Sequence, residues 1–475
     1  MTARKLPGPL VELMARGWEE PTDLDTAPVS GAEHHARARA AVSAAFAGWT
    51  LVIPTGPPKV RNNDVEYDFR PHSDFTYLTG YYEPDAVLVL SPAGDGHDAR
   101  LYLRSRGDRS NHEFFTSYHG ELWTGPRLAL GEHQARLGVA CAELTELPTR
   151  LAKLDAEQTA VIRGVDPAVD KAVMSAANTE SARDEELATT LSELRLVKDD
   201  WEVAQLDDAV GATIRGFEDV VRALSSDGSS AERLIDGVFG LRARHDGNAV
   251  GYGTIAAAGA HACTLHWTRN TGVCRPGELL LLDAGVENRH FYTADVTRTM
   301  PISGKFSPEQ REIYDIVYAS ALAGQAAVKP RASWKDVDTA CMTVLAEGLE
   351  KLGFLPVSAE ESLDPKNQTH RRWTLHSFGH MLGLDVHDCA QARAEFYGKG
   401  ELKEGYVLTV EPGLYFQPDD ELVPPQYRGI GIRIEDDVLV TADGHRTLSA
   451  ALPSEPEELL TWMRELRRQS YELPR

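Results

Sequence analysis

One nine-residue pattern occurs twice, and both copies end in a carboxylate that the fold must accommodate. Gly277-Glu278-Leu279-Leu280-Leu281-Leu282-Asp283-Ala284-Gly285 and Gly405-Tyr406-Val407-Leu408-Thr409-Val410-Glu411-Pro412-Gly413 each read Gly, then Leu three on, an acid six on and Gly two beyond. An apolar run closed by an acid and a turn-prone pair predicts a strand. The first copy leads through Phe291-Tyr292 to Asp295-Val296-Thr297-Arg298-Thr299, a second strand antiparallel to it. With Asp283 and Asp295 opposed, both carboxylates leave one sheet face with β-carbons about 5 Å apart. Two carboxylates that close repel, and one stays protonated unless a cation lies between them.

Two further stretches extend the set. Gly431-Ile432-Arg433-Ile434-Glu435-Asp436-Asp437-Val438 alternates with period two, placing Arg433 and Glu435 on one face and Ile432 and Ile434 on the other. Between the two nine-residue copies, Leu375 to Asp388 supplies His376, His380 and His387. The candidate ligands are Asp283, Asp295, His380, Glu411 and Glu435. One imidazole with four carboxylates and no Cys suits Mn²⁺ first, with Co²⁺, Fe²⁺ or Zn²⁺ as alternatives. Four carboxylates exceed what one divalent ion needs. Two ions about 3.5–4 Å apart, bridged by carboxylates and a hydroxide, fit better.

From about residue 60 onward the chain resembles the two-metal pita-bread peptidases, and among them the aminopeptidase P (Xaa-Pro aminopeptidase) family. The motifs are Leu265-His266, Leu282-Asp283-Ala284-Gly285, Asp295-Val296-Thr297-Arg298-Thr299, His376-Ser377-Phe378-Gly379-His380, Gly383-Leu384-Asp385-Val386-His387-Asp388, Val410-Glu411-Pro412-Gly413-Leu414-Tyr415 and Tyr427 to Asp436. Their order is what makes the likeness specific. The Asp283–Asp295 spacing is one residue longer than the family usually shows, and the extra residue is placed near Asn288 to His290. The resemblance implies an α/β (α+β) chain: a creatinase-like amino-terminal α/β domain, then a pita-bread catalytic domain of pseudo-twofold α-β halves. It implies a proline-specific metallo-aminopeptidase, a hydrolase that cleaves between an N-terminal residue and a penultimate proline through a metal-bridging hydroxide. Glu411 then moves the proton of the bridging water towards the leaving nitrogen. His266, His376 and His387 line the substrate cleft, Arg433 orients a carboxylate or the substrate, and Tyr415 stands behind the ligands. Trp123, in Glu121-Leu122-Trp123-Thr124-Gly125, has two readings: core packing, or an aromatic that reaches a neighbouring subunit's site in a homo-oligomeric dimer or tetramer.

The 475 residues predict two or three domains. The expected division is an irregular arm over 1–30, the amino-terminal domain over 31–194 and the catalytic domain over 195–475. With 49 basic and 72 acidic residues the formal charge is −23. That argues against nucleic acid or an anionic membrane as partner, since phosphate neutralisation and lipid attraction both need excess positive charge. Peptides with proline second are the expected partners. Cys141, Cys263, Cys274, Cys341 and Cys389 are odd in number and lack CxxC spacing, which predicts free thiols in a reducing compartment. No apolar core follows the N-terminal residues, and Ala40 to Pro54 is too short to span a bilayer. A soluble, cytoplasmic protein is expected.

Helices are expected over 32–47, from an Asp199 or Asp200 cap to about Leu224, over 234–245, from a Ser307-Pro308-Glu309-Gln310 capping box to about Val328, and over 334–352. Strands are expected at Trp49–Pro54, Ala86–Leu90, Leu101–Leu103, Ala160–Ile162 and Tyr252–Ile255, with a loop at Ser225–Ser230. Asp436 and Asp437 read as solvated or structural neighbours of the site.

Four other assignments compete. Prolidase, which hydrolyses Xaa-Pro dipeptides, has a similar catalytic half. Methionine aminopeptidase leaves the long amino-terminal domain unexplained. Creatinase-like enzymes lack the metal set, and a catalytically dead binding module would have lost ligands.

Overall fold

The computed structural model describes residues 6–19, 24–107, 109, 112–117, 119–173, 182–224 and 230–474. The chain forms two compact units, Met1–Leu194 and Arg195–Arg475. All but Ser230 of the expected Ser225–Ser230 loop lies outside the described residues.

In the first unit the stretch expected to be an irregular arm contains a helix, α1 (Gly8–Met14), none of whose residues is buried. Pro7 and Pro9 obscure the short Leu-Val-Glu-Leu-Met run, although proline fits a helix's first turn. Helix α2 (Ala32–Ala45) precedes a mixed five-stranded sheet of β1 (Thr50–Pro54), β2 (Val87–Ala93), β3 (Gly96–Leu103), β4 (Ala140–Glu143) and β5 (Thr159–Val161). The strand order is β4-β3-β2-β1-β5, with β1–β5 and β3–β4 parallel. Leu51 to Ile53 and Ala86 to Leu90 are fully buried, as continuous apolar runs predict for a covered sheet.

The second unit repeats one plan, a helix pair followed by strands. In its first half α3 (Asp200–Ala223) packs on α4 (Glu232–Asp246), and the antiparallel sheet β6 (Ile255–Ala258), β7 (Leu279–Ala284), β8 (Val296–Pro301) follows in the order β8-β7-β6. In its second half α5 (Pro308–Ala327) packs on α6 (Trp334–Lys351). Then come β9 (Val407–Val410), β10 (Gly413–Tyr415), β11 (Gly431–Arg433), β12 (Asp436–Val440) and β13 (His445–Thr447). Asp199 caps α3, accepting from the N–H groups of Trp201 and Glu202 at 3.1 and 3.0 Å, while Ser307 caps α5. Strand β9 pairs with β12 and β10 with β11. A bridge between Thr297 and Glu435 links the halves. The two nine-residue copies enter their strands alike, through Gly277 at φ 88° and Gly405 at φ 87°, backbone that side chains other than glycine rarely adopt.

Two expected strands differ. Tyr252–Gly253 bends instead of pairing, and β6 starts at Ile255, because the Asn270 side chain takes the Thr254 carbonyl (2.9 Å) and the Ala256 N–H (3.0 Å). The Gly431–Val438 run splits into β11 and β12, with Glu435 at the break.

Candidate metal centre and substrate cleft

Strands β7 and β8 set the first two acids. Their register pairs Asp283 with Thr297 and Ala284 with Val296, so Asp295 lies one step before β8, diagonal to Asp283. The expected direct opposition is therefore off by two residues. Period-two alternation still puts Asp283, Asp295 and Thr297 on one face. The Tyr252 hydroxyl joins the two acids, 2.7 Å from Asp283 Oδ1 and 2.5 Å from Asp295 Oδ1.

The second half brings the remaining groups to the same face. Thr297 Oγ1 donates to Glu435 Oε2 at 2.6 Å, across the bridge between the halves. Arg433 is buried and spreads its guanidinium over three partners: Asp283 Oδ2 (2.5 Å), Thr297 Oγ1 (3.2 Å) and the Tyr415 hydroxyl (2.9 Å). The Tyr415 hydroxyl in turn donates to His376 Nε2 at 2.9 Å, because His376 Nδ1 lies 2.7 Å from the Ser377 carbonyl and must carry the ring proton to donate there. Burial, with the nearby Arg433 charge, pushes the His376 pKa down to about 4 and keeps it neutral. Both its nitrogens are thus engaged, and donation to a substrate requires one of these bonds to open. His380 Nδ1 donates to the Met381 carbonyl at 3.1 Å, which directs Nε2 at Asp295 Oδ2 (3.3 Å) and Glu411 Oε1 (3.7 Å). The His387 ring meets the His380 ring edge-on at 4.3 Å.

Tyr252, the four acids, Arg433, His376, His380 and His387 line a cleft of about 530 Å³, together with His266, Leu265, Thr268, Ile255, Val386 and Tyr397. Of the residues singled out from sequence, Asp283, Asp295, His380, Glu411, Glu435, His266, His376, His387 and Arg433 all line it, and Tyr415 contacts two of them. Trp123 belongs to the first unit and is 66% exposed, its indole N–H donating to the Phe115 carbonyl at 2.9 Å. The core-packing reading of Trp123 does not hold. Asp436 and Asp437 are not solvated either. Asp436 is buried and takes the Arg298 guanidinium at 2.6 Å, while Asp437 accepts from the Asp295 N–H at 3.2 Å.

The donor set fits divalent cations. Burial, compounded by Asp295, Glu411 and Asp283, pushes the Glu435 carboxyl well above its ordinary range. Burial raises Glu411 to about 7 against the pull of His380 and Arg433. Asp283 is raised by burial and by Asp295 despite Arg433. Burial opposes a charge on His380, yet Asp295 and Glu411 push its pKa up to about 9. Crowded buried carboxylates of this kind lose their mutual repulsion when cations sit among them. Asp295, His380 and Glu435 each offer a ligand atom within 4.8 Å of the others. The bond from Nδ1 to a carbonyl orients the imidazole so that Nε2 is the ligand atom once a cation displaces its proton.

Tyr252 and Thr297, which tie the acids together, are not evident from ligand spacing. Thr297 follows from alternation with Asp295 two residues earlier. Tyr252 has no comparable signal, since a bend 31 residues before Asp283 brings it in.

Four carboxylates in or beside the strands of two similar halves, with one imidazole from the loop before β9, define a metal-dependent hydrolase centre. Residues 204–442 match metallopeptidase family M24, and residues 35–162 match the aminopeptidase P, N-terminal domain. Xaa-Pro aminopeptidase 1 of Streptomyces coelicolor is 52% identical over 458 residues, covering 96% of this chain and 92% of that relative. The Xaa-Pro aminopeptidase of Escherichia coli is 35% identical over 461 residues, covering 93% and 99%. The structure of E. coli aminopeptidase P with the inhibitor Pro-Leu matches with a TM-score of 0.81 at 33% identity, covering 93% of this chain and 100% of that one. The chain belongs to metallopeptidase family M24 and, within it, to the aminopeptidase P group.

Proposed function

We propose that the chain is a metal-dependent exopeptidase that hydrolyses the bond between an N-terminal residue and a penultimate proline. The observation that carries this is the single cleft into which the five candidate ligands and His266, His376, His387 and Arg433 converge. An Xaa-Pro bond offers no N–H at the imide nitrogen, and proline's ring fixes φ. Two divalent ions, Mn²⁺ first, supply an activated water and polarise the scissile carbonyl when bound. Asp283, Asp295, His380, Glu411 and Glu435 hold them. Glu411 accepts a proton and passes it towards the leaving nitrogen. His266 and His387, at the exposed lip of the cleft, donate to the carbonyl oxygen or the tetrahedral intermediate. His376 and Arg433 hold the Tyr415 hydroxyl between them, and Arg433 fixes Asp283.

Residues 31–194 form the amino-terminal domain of the peptidase and 195–475 its catalytic domain. The chain works as a homo-oligomer in which the exposed Trp123 reaches a neighbouring subunit's cleft. A cytoplasmic location accords with five free cysteines, and among the described residues no helix is long and apolar enough to cross a membrane.

The test is cleavage by metal-stripped protein with Mn²⁺ restored. It uses a tripeptide with proline second, the matching Xaa-Pro dipeptide and a peptide starting Met-Ala. Mn²⁺-dependent release of the first residue from the tripeptide is expected. Cleavage of the dipeptide alone would mean prolidase, and no cleavage with metal bound would mean a binding module.

A further inference from the structure

The segment that carries His266 is fastened to one buried carboxylate, and we propose that Glu232 is a positioning residue for the reaction, holding the His266 imidazole in the cleft without touching substrate. This rests on the role given above to His266. Glu232 is the first residue of α4 and 0% exposed. Its Oε1 accepts from the Ala258 N–H and from His261 Nδ1, each at 2.8 Å. Its Oε2 accepts from Trp267 Nε1 at 2.8 Å and from the Gly272 N–H at 2.6 Å.

The four donors come from β6 and from both arms of the loop that follows it, so one carboxylate closes the loop on itself. The Glu232 N–H also donates to the Gly272 carbonyl at 3.0 Å. Gly272 has to be glycine, since a β-carbon there would lie 2.6 Å from Glu232 Oε1. Inside the loop the His261 and Trp267 rings stack, with centroids 3.9 Å apart and planes 23° apart. The Arg269 guanidinium lies 4.9 Å from the Trp267 ring centre.

Leu265, His266 and Thr268 line the cleft, and Trp267, between them in sequence, points its indole N–H the other way, at Glu232. The backbone of residue 266 is therefore set by its neighbour's hydrogen bond to Glu232. A buried carboxylate with four donors is rigid, because losing any one leaves part of its charge unsatisfied where no water replaces the donor. A displacement of about 1 Å in a group that positions substrate costs up to about a hundredfold in rate.

The experiment is a double-mutant cycle in the metal-loaded full chain, assayed on the proline-second tripeptide. Glu232→Gln is expected to lower kcat about tenfold with KM within about twofold and metal content unchanged. In a His266→Ala background the same change is expected to add no further loss. Trp267→Phe keeps the ring stack and removes one donor. It is expected to lower kcat about threefold, again with no added loss beside His266→Ala. If Glu232→Gln does not fold, the Trp267→Phe cycle alone decides. Losses that multiply in the His266→Ala background, losses that track metal content, or no loss in any folded variant overturn the proposal. An active parent indifferent to His266→Ala removes the role of His266 and this proposal with it. A parent that cleaves no Xaa-Pro bond overturns the assigned activity as well.

Discussion

One hydroxyl proton is shared between Asp283 and Asp295, since Tyr252 can donate to only one oxygen at a time. Tyr252→Phe removes that tie and keeps the ring. Metal affinity is expected to fall about 10- to 100-fold, the usual effect of losing a partner of a ligand, and calorimetric titration with Mn²⁺ checks it. Asp283→Asn and Glu435→Gln act on the ligands themselves. Each should lower metal content and peptidase activity together, read by elemental analysis beside the tripeptide assay. Metal retained at full activity would remove that residue from the ligand set. His387→Ala separates the two readouts: kcat is expected to fall roughly 100- to 1,000-fold, as for loss of one transition-state donor, while metal stays bound. The acids were legible as residues because each ends, precedes or interrupts an apolar strand, and His380 because it stands in a family motif. The offset of Asp295 from Asp283 was not, because sequence does not fix register across a long connection. Here Asn288 closes the turn, its Oδ1 accepting from the N–H groups of His290 and Tyr292.

At the scale of elements, the two nine-residue copies begin with glycines in the same left-handed conformation but different surroundings. A β-carbon at Gly277 meets nothing within 4 Å, whereas one at Gly405 lies 2.9 Å from Val197 Cγ1 and 3.0 Å from the Lys198 carbonyl oxygen. Gly277→Ala is expected to cost about 1–2 kcal/mol through backbone strain alone. Gly405→Ala adds a clash and is expected to cost more. Urea unfolding midpoints of the two variants compare them directly, and equal losses would mean the crowding at Gly405 relaxes freely. Helix starts were readable from Asp199 and Ser307, whose side chains cap them. The break at Glu435 was not readable, because the run of acids Glu435-Asp436-Asp437 that ends the alternation does not by itself mark a change of strand partner. The chain leaves one strand partner for another there, Gly413–Tyr415 before the break and Val407–Val410 after it.

At the scale of the whole molecule, the loop that carries His387 is locked to the start of the second unit. Asp388 is buried and lies 3.1 Å from Lys198 Nζ and 3.3 Å from Arg195 Nη2. Burial alone would raise the Asp388 pKa, but the two cations hold it below the ordinary range. Burial likewise works against the Lys198 charge, and its acidic neighbours still raise its pKa. A carboxylate depressed in the folded state contributes stability above its unfolded pKa of about 3.9 and loses it as pH falls further. Lys198 contributes below about 10.4 and loses its share as pH rises through its folded value. Asp388→Asn strands the Lys198 charge and is expected to cost about 3–5 kcal/mol at pH 7. The gap to the parent should narrow below about pH 4. Unfolding free energies measured from pH 7 to pH 3 test this, and a pH-independent gap would exclude the charge pairing as its cause.

The sequence by itself determined most of the strands, the helix caps, the acids and imidazoles available and the family they resemble, because periodicity and capping are local and the motifs keep their order. Tertiary structure decided which groups meet. Tyr252, Thr297 and Glu232 act on residues 31, 138 and 26–40 positions away. No local rule carries that information, since bends, register shifts and strand exchanges set such distances only once the elements have packed.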